Sequence, residues 1–338
     1  MYKNYNLWDR LRVCIVGRTW PPEFYDWIKD TNIRDILRNI AKETEEDYDR
    51  LSSCLENLGV TVLRPDLPDV MPEKMLPPPM SPRDHMCMIG DTFVETFNWC
   101  YPSIGDVLPK DVPPSMPFYT RIFDHIRDQG NTVKTVEIAN ASGAMLYQFN
   151  NDIYYSRWPH QDNVQVREQL SAYTHDRHLK PFYQFGHIDG WFCPVTPGLI
   201  IASRDEHRQD LLDLFFRKYF PDYEVVYKDP SLQFDNSFVQ WQKRHAGTWW
   251  IPGQEHNQNL THFIDTYLHQ WLGEIAETVF EVNMLPVDSQ NVIVGRYNQH
   301  IFDKLAAYGV TPHICTLRHK TFWDIGISCA TADIHRQT

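Results

Sequence analysis

Glycine is scarce in this 338-residue chain, at 15 residues, and no stretch rich in glycine and serine interrupts it. A chain of that length holds one large α/β domain or two ordinary ones. The missing linker favours one domain over residues 1–338. Cysteine occurs seven times, an odd count, with no Cys-x-x-Cys pair. That fits free thiols in a reducing compartment better than a disulfide frame or a zinc site. No apolar run approaches the roughly 20 residues of a membrane span. Met1-Tyr2-Lys3-Asn4-Tyr5 also lacks the hydrophobic stretch of a secretory signal, so the expected location is cytoplasmic. Positive charge is short as well: 32 Lys and Arg against 44 Asp and Glu give a formal charge of -12. That balance argues against nucleic acid or an anionic membrane as a partner. His245, His256, His262 and His269 have no metal-ligand spacing with acidic residues, and no metal site is expected.

Apolar residues make up 42% of the chain, enough for a real core. Leu11 to Gly17 reads as a buried strand ended by glycine. Apolar positions from about Asn32 to Leu58 recur at helical spacing, with a break expected near Glu43 to Asp47, and Val60 to Leu63 reads as a strand. Four hairpins are expected, around Gly90-Asp91, Asn150-Asn151, Pro197-Gly198 and Asp288-Ser289-Gln290. Helices are expected after them, near residues 119–129, 164–173, 206–219 and 298–308. A hairpin-then-helix unit that recurs every 50 residues or more suggests a closed array of like modules.

Three polar clusters stand out. Cys329 lies between Gly326-Ile327-Ser328 and the β-prone run Ala330-Thr331-Ala332. Taken alone a cysteine is most often a small buried hydrophobe, which is the reading for Cys193 and Cys315. Small residues before Cys329 would let a ligand approach the backbone, whose N–H groups would then polarise it. His187-Ile188-Asp189, if extended, places an imidazole and a carboxylate on one face. Arg83-Asp84, with Glu95 on the next strand, is either a surface ion pair or an acidic grip. A thiol surrounded by acids suits a cationic, planar guanidinium better than an acyl group.

These residues resemble the amidinotransferases of the glycine (L-arginine:glycine) type, within the guanidino-group-modifying superfamily that includes arginine deiminases. The resemblance rests on Pro82-Arg83-Asp84 with Gly90-Asp91 and Glu95, and on His187-Ile188-Asp189 with Pro197-Gly198-Leu199-Ile200-Ile201. It rests further on Asn283-Met284-Leu285 with Asp288, and on Cys329-x-Thr331-x-Asp333-x-x-Arg336, a pattern that favours transferases over hydrolases. It runs from about residue 80 to the C-terminus.

The resemblance implies an α/β pentein propeller: five pseudo-symmetric ββαβ-type modules around a central channel. It also implies a mechanism. Cys329 attacks the guanidinium carbon of a donor such as L-arginine, and His187 protonates the departing ornithine. His187 then activates an amine acceptor, while Asp84 and Asp189 hold the guanidinium. Arg83, Glu95 and Met145 join the implied substrate-binding set, and Asp189 counts in both roles. Small-molecule substrates and a homo-oligomer are implied; no cofactor is. Met145 stands where the family carries an aspartate that partners the histidine, so Asp189 or Glu137 would have to supply that anion. The arginine that grips the donor's carboxylate falls near Glu206, with Arg204 or Arg208 as substitutes. Two alternatives compete with transfer: a guanidino hydrolase resembling arginine deiminase, and a catalytically impaired relative with a binding or structural role.

Overall fold

The computed structural model describes residues 1–67, 78–96, 117–136, 142–156, 164–174, 177–183, 187–204, 209–228, 251, 253–254, 256–268 and 282–338. Fifteen strands appear among them. In chain order they are β1 (Arg10–Val16), β2 (Thr61–Leu63), β3 (Met86–Ile89), β4 (Thr92–Thr96), β5 (Thr132–Val136), β6 (Leu146–Phe149), β7 (Asp152–Ser156) and β8 (His178–Phe182). They continue with β9 (Phe192–Thr196), β10 (Leu199–Ala202), β11 (Glu224–Tyr227), β12 (Leu285–Asp288), β13 (Asn291–Val294), β14 (Thr311–Ile314) and β15 (Thr331–Gln337).

The strands form five three-stranded sheets built to one plan. In four of them an antiparallel hairpin is followed by a third strand parallel to its second member: β3-β4-β5, β6-β7-β8, β9-β10-β11 and β12-β13-β14. A parallel neighbour needs a crossover, and a helix supplies it in each case: Thr120–Asp128, Val164–Ser171, Gln209–Tyr219 and Gln299–Ala307. The remaining sheet, the first in chain order, closes the series. β1 pairs parallel with β2 across the helix Thr31–Asn57, but its antiparallel partner is β15 from the far end of the chain. The α/β pentein arrangement expected from the sequence is therefore present.

Five apolar clusters sit at the seams between successive sheets. Ile15, Met88 and Ile334 join the first sheet to the second, and Ile89, Leu146 and Ile153 the second to the third. Phe149, Phe192 and Ile200 join the third to the fourth, and Ile201, Val292 and Val294 the fourth to the fifth. Leu285 and Ile293 meet Leu11 and Val16 and return to the first. The buried strands read as apolar runs because both faces are covered. The Asn150-Asn151 turn has φ of 53° and 64°, the left-handed pair that a two-residue hairpin turn requires. No helix among the described residues is long and apolar enough to cross a membrane.

The helix Thr31–Asn57 runs without the break expected near Glu43 to Asp47. Asp30 caps it, accepting from the N–H groups of Asn32 and Ile33 at 2.9 and 3.2 Å. Its polar middle is used rather than disruptive. Asp47 accepts from Arg318 N–H and Nε at 2.6 and 2.8 Å, Glu43 faces His319, and Thr44 accepts from Trp323 Nε1 at 2.9 Å. The helix thus anchors the segment that leads to Cys329.

Gly143 has a packing reason to be glycine: a Cβ there would collide with the carbonyl oxygens of Arg83 and Met86. Gly143→Ala is expected to cost about 1–3 kcal/mol as an overpacked contact, read as a lower urea midpoint at unchanged slope.

Candidate active site

The segment bearing Cys329 is fixed before and after the thiol. The helical turn Lys320–Trp323 ends at Asp324, in the left-handed region at φ 50°. Thr331 then ties the loop together: its hydroxyl donates to the carbonyls of Ile327 and Ser328, both at 3.0 Å. Gly17 N–H donates to Ala330 O at 2.9 Å, locking the loop to the end of β1.

Asp333 and Arg336 hold β15 from inside. The Asp333 carboxylate accepts from Arg83 Nη2 at 2.6 Å, Arg336 Nε at 2.9 Å and Asn4 Nδ2 at 3.0 Å. Arg336 also donates to the carbonyls of Asp9 and Pro286, at 2.7 and 2.8 Å. Burial opposes the Asp333 charge, yet Arg83 and Arg336 outweigh it and hold the carboxyl well below the usual range. The spacing Cys329-x-Thr331-x-Asp333-x-x-Arg336 therefore describes a frame around the thiol.

Four of the expected site residues converge. The Cys329 thiol, itself buried, donates toward Asp189 Oδ2 at 3.5 Å. Burial pushes the thiol up, the Asp189 and Asp84 charges push it further, and His187 pulls the other way. His187 Nδ1 lies 3.6 Å from Asp84 Oδ1. Asp189 is fully buried, and its Oδ1 has no partner among the described residues. A buried carboxylate oxygen left open in this way suits a cationic ligand.

The route by which these groups arrive differs from the expected one. Residues Ile188–Gly190 form a tight helical turn, not an extended strand, with only His187 extended at φ -75° and ψ 139°. Asp84 comes from the helical turn Pro82–His85, opened by proline. The turn Gly143–Met145 packs between these two. Met145 is buried there without a charge. Asp84 is a carboxylate that the structure places near His187 Nδ1; Glu137, one of the two acids expected to replace the aspartate absent at position 145, lies outside the described residues.

Arg83 is placed differently from the substrate-binding role expected of it. Its Nε donates to Ser328 O at 2.9 Å and its Nη2 to Asp333, so it braces the loop that carries Cys329. Glu95 is buried on β4, opposite Met86 in the register. Arg204 is exposed, its guanidinium 5.2 Å from the Tyr227 ring centre, while Glu206 and Arg208 fall outside the described residues. The N–H groups of Ser328 and Cys329, expected to polarise a ligand, donate instead to Asn283 Oδ1 at 2.7 and 3.2 Å. Asn283 is a site residue that motif reading quoted without giving it a role.

No known protein-family profile and no curated protein matches the sequence. Solved structures do match along almost the whole chain. Inosamine-phosphate amidinotransferase StrB1 from Streptomyces griseus aligns with a TM-score of 0.66 at 18% identity, covering 100% of this chain and 97% of its own. SxtG, an amidinotransferase from Microseira wollei in the saxitoxin biosynthetic pathway, gives 0.65 at 16% identity, with 100% and 98% covered. DDAH from Pseudomonas aeruginosa gives 0.53 at 11% identity, with 96% and 99% covered. With its five like sheets closed by β15 and these structural neighbours, the chain is a pentein by fold.

Proposed function

We propose that this chain is an amidinotransferase that moves the amidino group of L-arginine, or a related guanidino donor, to an amine acceptor through an amidino-cysteine at Cys329. One observation carries the reading. A single buried thiol faces two carboxylates, Asp189 and Asp84, and an imidazole, His187. Two anions beside a thiol raise its pKa and oppose thiolate formation, so the arrangement makes chemical sense only for a cationic substrate. A guanidinium seated against Asp189 and Asp84 offsets their charge, and the thiol then gives its proton to His187 where the electrophile already sits.

The steps follow from the groups present. Cys329 Sγ forms a bond to the guanidinium carbon, and the bond from that carbon to the ornithine nitrogen breaks as His187 gives that nitrogen a proton. Ornithine leaves. His187 then takes a proton from the incoming amine, whose nitrogen attacks the amidino carbon, and the C–S bond breaks to restore the thiolate. Asp84, facing Nδ1, keeps the imidazole oriented. Asp189 and Asp84 stabilise the positive charge throughout. Arg83, Thr331, Asp333 and Arg336 position the loop. Glu95 and Met145 complete the walls proposed for the donor.

The test is a product assay with L-arginine, run with and without a pool of primary amines, with Cys329→Ala as the blank. Ornithine that depends on both Cys329 and the amine is the expected result. Citrulline formed without amine would assign the chain to the hydrolases. No product from a range of guanidino donors, with folded protein, would leave a binding role.

A further inference from the structure

We propose that Asn283 is a positioning residue for the nucleophile, holding the Cys329 loop with one end of its amide and donating to the Cys329 sulfur with the other. The inference rests on Cys329 being the nucleophile of the reaction above. Asn283 lies two residues before β12 and is buried. Its Oδ1 accepts two backbone N–H groups, from Ser328 at 2.7 Å and Cys329 at 3.2 Å. Only an oxygen can accept both, so the amide's orientation is fixed by the network and its Nδ2 must face the other way. There it donates to Cys329 Sγ at 3.0 Å.

That donor is worth more to a thiolate than to a thiol, because a hydrogen bond to an ionised acceptor is about twice as strong as one between neutral groups. It meets the same sulfur that Asp189 Oδ2 approaches at 3.5 Å. Gly326 supplies an independent sign that the loop is built around this side chain. A Cβ at position 326 would collide with Asn283 Cβ, Cγ and Oδ1, so only glycine admits the amide. The platform is rigid: Arg336 Nη2 donates to Pro286 O at 2.8 Å, tying the start of β12 to β15. The side chain thus links the fifth module to the loop that carries the thiol.

The test measures alkylation of Cys329 by iodoacetamide against pH in the full-length protein, with the modified peptide quantified by mass. Asn283→Leu removes the donor at nearly the same volume and, unlike Asn283→Asp, adds no charge beside the sulfur. Its profile is expected to move at least one pH unit higher, so that the rate at a fixed pH below the midpoint falls about tenfold. Gly326→Ala, which leaves Asn283 in the chain but displaces it, is expected to move the profile the same way. Melting temperatures are read beside the profiles. A purely structural residue would lower the melting temperature and leave the profile unmoved; that result overturns the proposal. Loss of folding in both variants would make Asn283 a residue of stability alone and overturn it equally. Alkylation needs no guanidino donor, so a failed transfer assay leaves this outcome independent.

Discussion

Asp189→Asn is expected to lower ornithine release by about 10²–10³-fold while making Cys329 alkylate faster at neutral pH. The two effects have opposite signs because Asp189 does two things. In the free protein its charge raises the thiol's pKa, with Oδ2 3.5 Å from the sulfur. Removing that charge releases the thiol. In the substrate complex the same carboxylate is proposed to hold the guanidinium, and asparagine offers no charge for it. Oδ1, buried and without a partner among the described residues, is the atom that would receive the substrate's N–H. Damage to the site would slow alkylation and transfer together, so parallel losses would remove the argument for Asp189 as the cation's seat. The pair of rates, measured on one preparation, decides the matter.

Asp333→Asn is expected to destabilise the fold by about 3–5 kcal/mol, against total stabilities that typically run about 5–15 kcal/mol. The substitution leaves two buried guanidinium groups, Arg83 and Arg336, facing a neutral amide. Urea unfolding would report it as a lower midpoint. The pH dependence has a definite sign. The folded carboxyl is depressed, so its contribution is complete above the ordinary aspartate value near ~3.9 and is lost as pH falls below it. The stability difference between wild type and variant should therefore narrow only in strong acid. A constant difference from neutrality down through that range would mean that the charge of Asp333 is not what matters. Activity should fall as well, because Arg83 then loses one of the two anchors that hold it beneath Ser328.

The modular plan was legible because every hairpin carries its own punctuation. Gly90-Asp91, Asn150-Asn151 and Pro197-Gly198 each separate two short apolar runs, and each lies at a turn. The third strand of each module was harder to read. His178–Phe182 and Thr311–Ile314 both contain proline and histidine, the first a lysine as well, and are partly exposed, as edge strands are. The pairing of β1 with β15 leaves no local trace at all, since its partners lie at opposite ends of the chain. In the site, residue types indicated the chemistry, but not which acid faces which base. Asp84 reaches His187 only because two short helical turns bring it there, and a period-two argument does not anticipate such turns. Arg83 looked like a ligand-binding charge because its real partner, Asp333, lies 250 residues away. Asn283, though part of a quoted motif, had no legible role, because an asparagine before a hydrophobic strand is ordinary until its neighbours in space are known.

The pairing of β1 with β15 also bears on when the molecule becomes reactive. That ladder has the longest sequence separation the fold contains, and contacts of this kind are slow to form because loop-closure entropy is paid before they give any stability. The cysteine lies two residues before the strand that makes them. On this view closure of the ring acts as a kinetic checkpoint. A chain whose other four sheets have folded still lacks the pairing of β1 with β15, and only that last pairing brings Cys329, the proposed nucleophile, to Asp189 and His187. Refolding followed by activity should therefore lag behind refolding followed by the far-ultraviolet signal of the sheets.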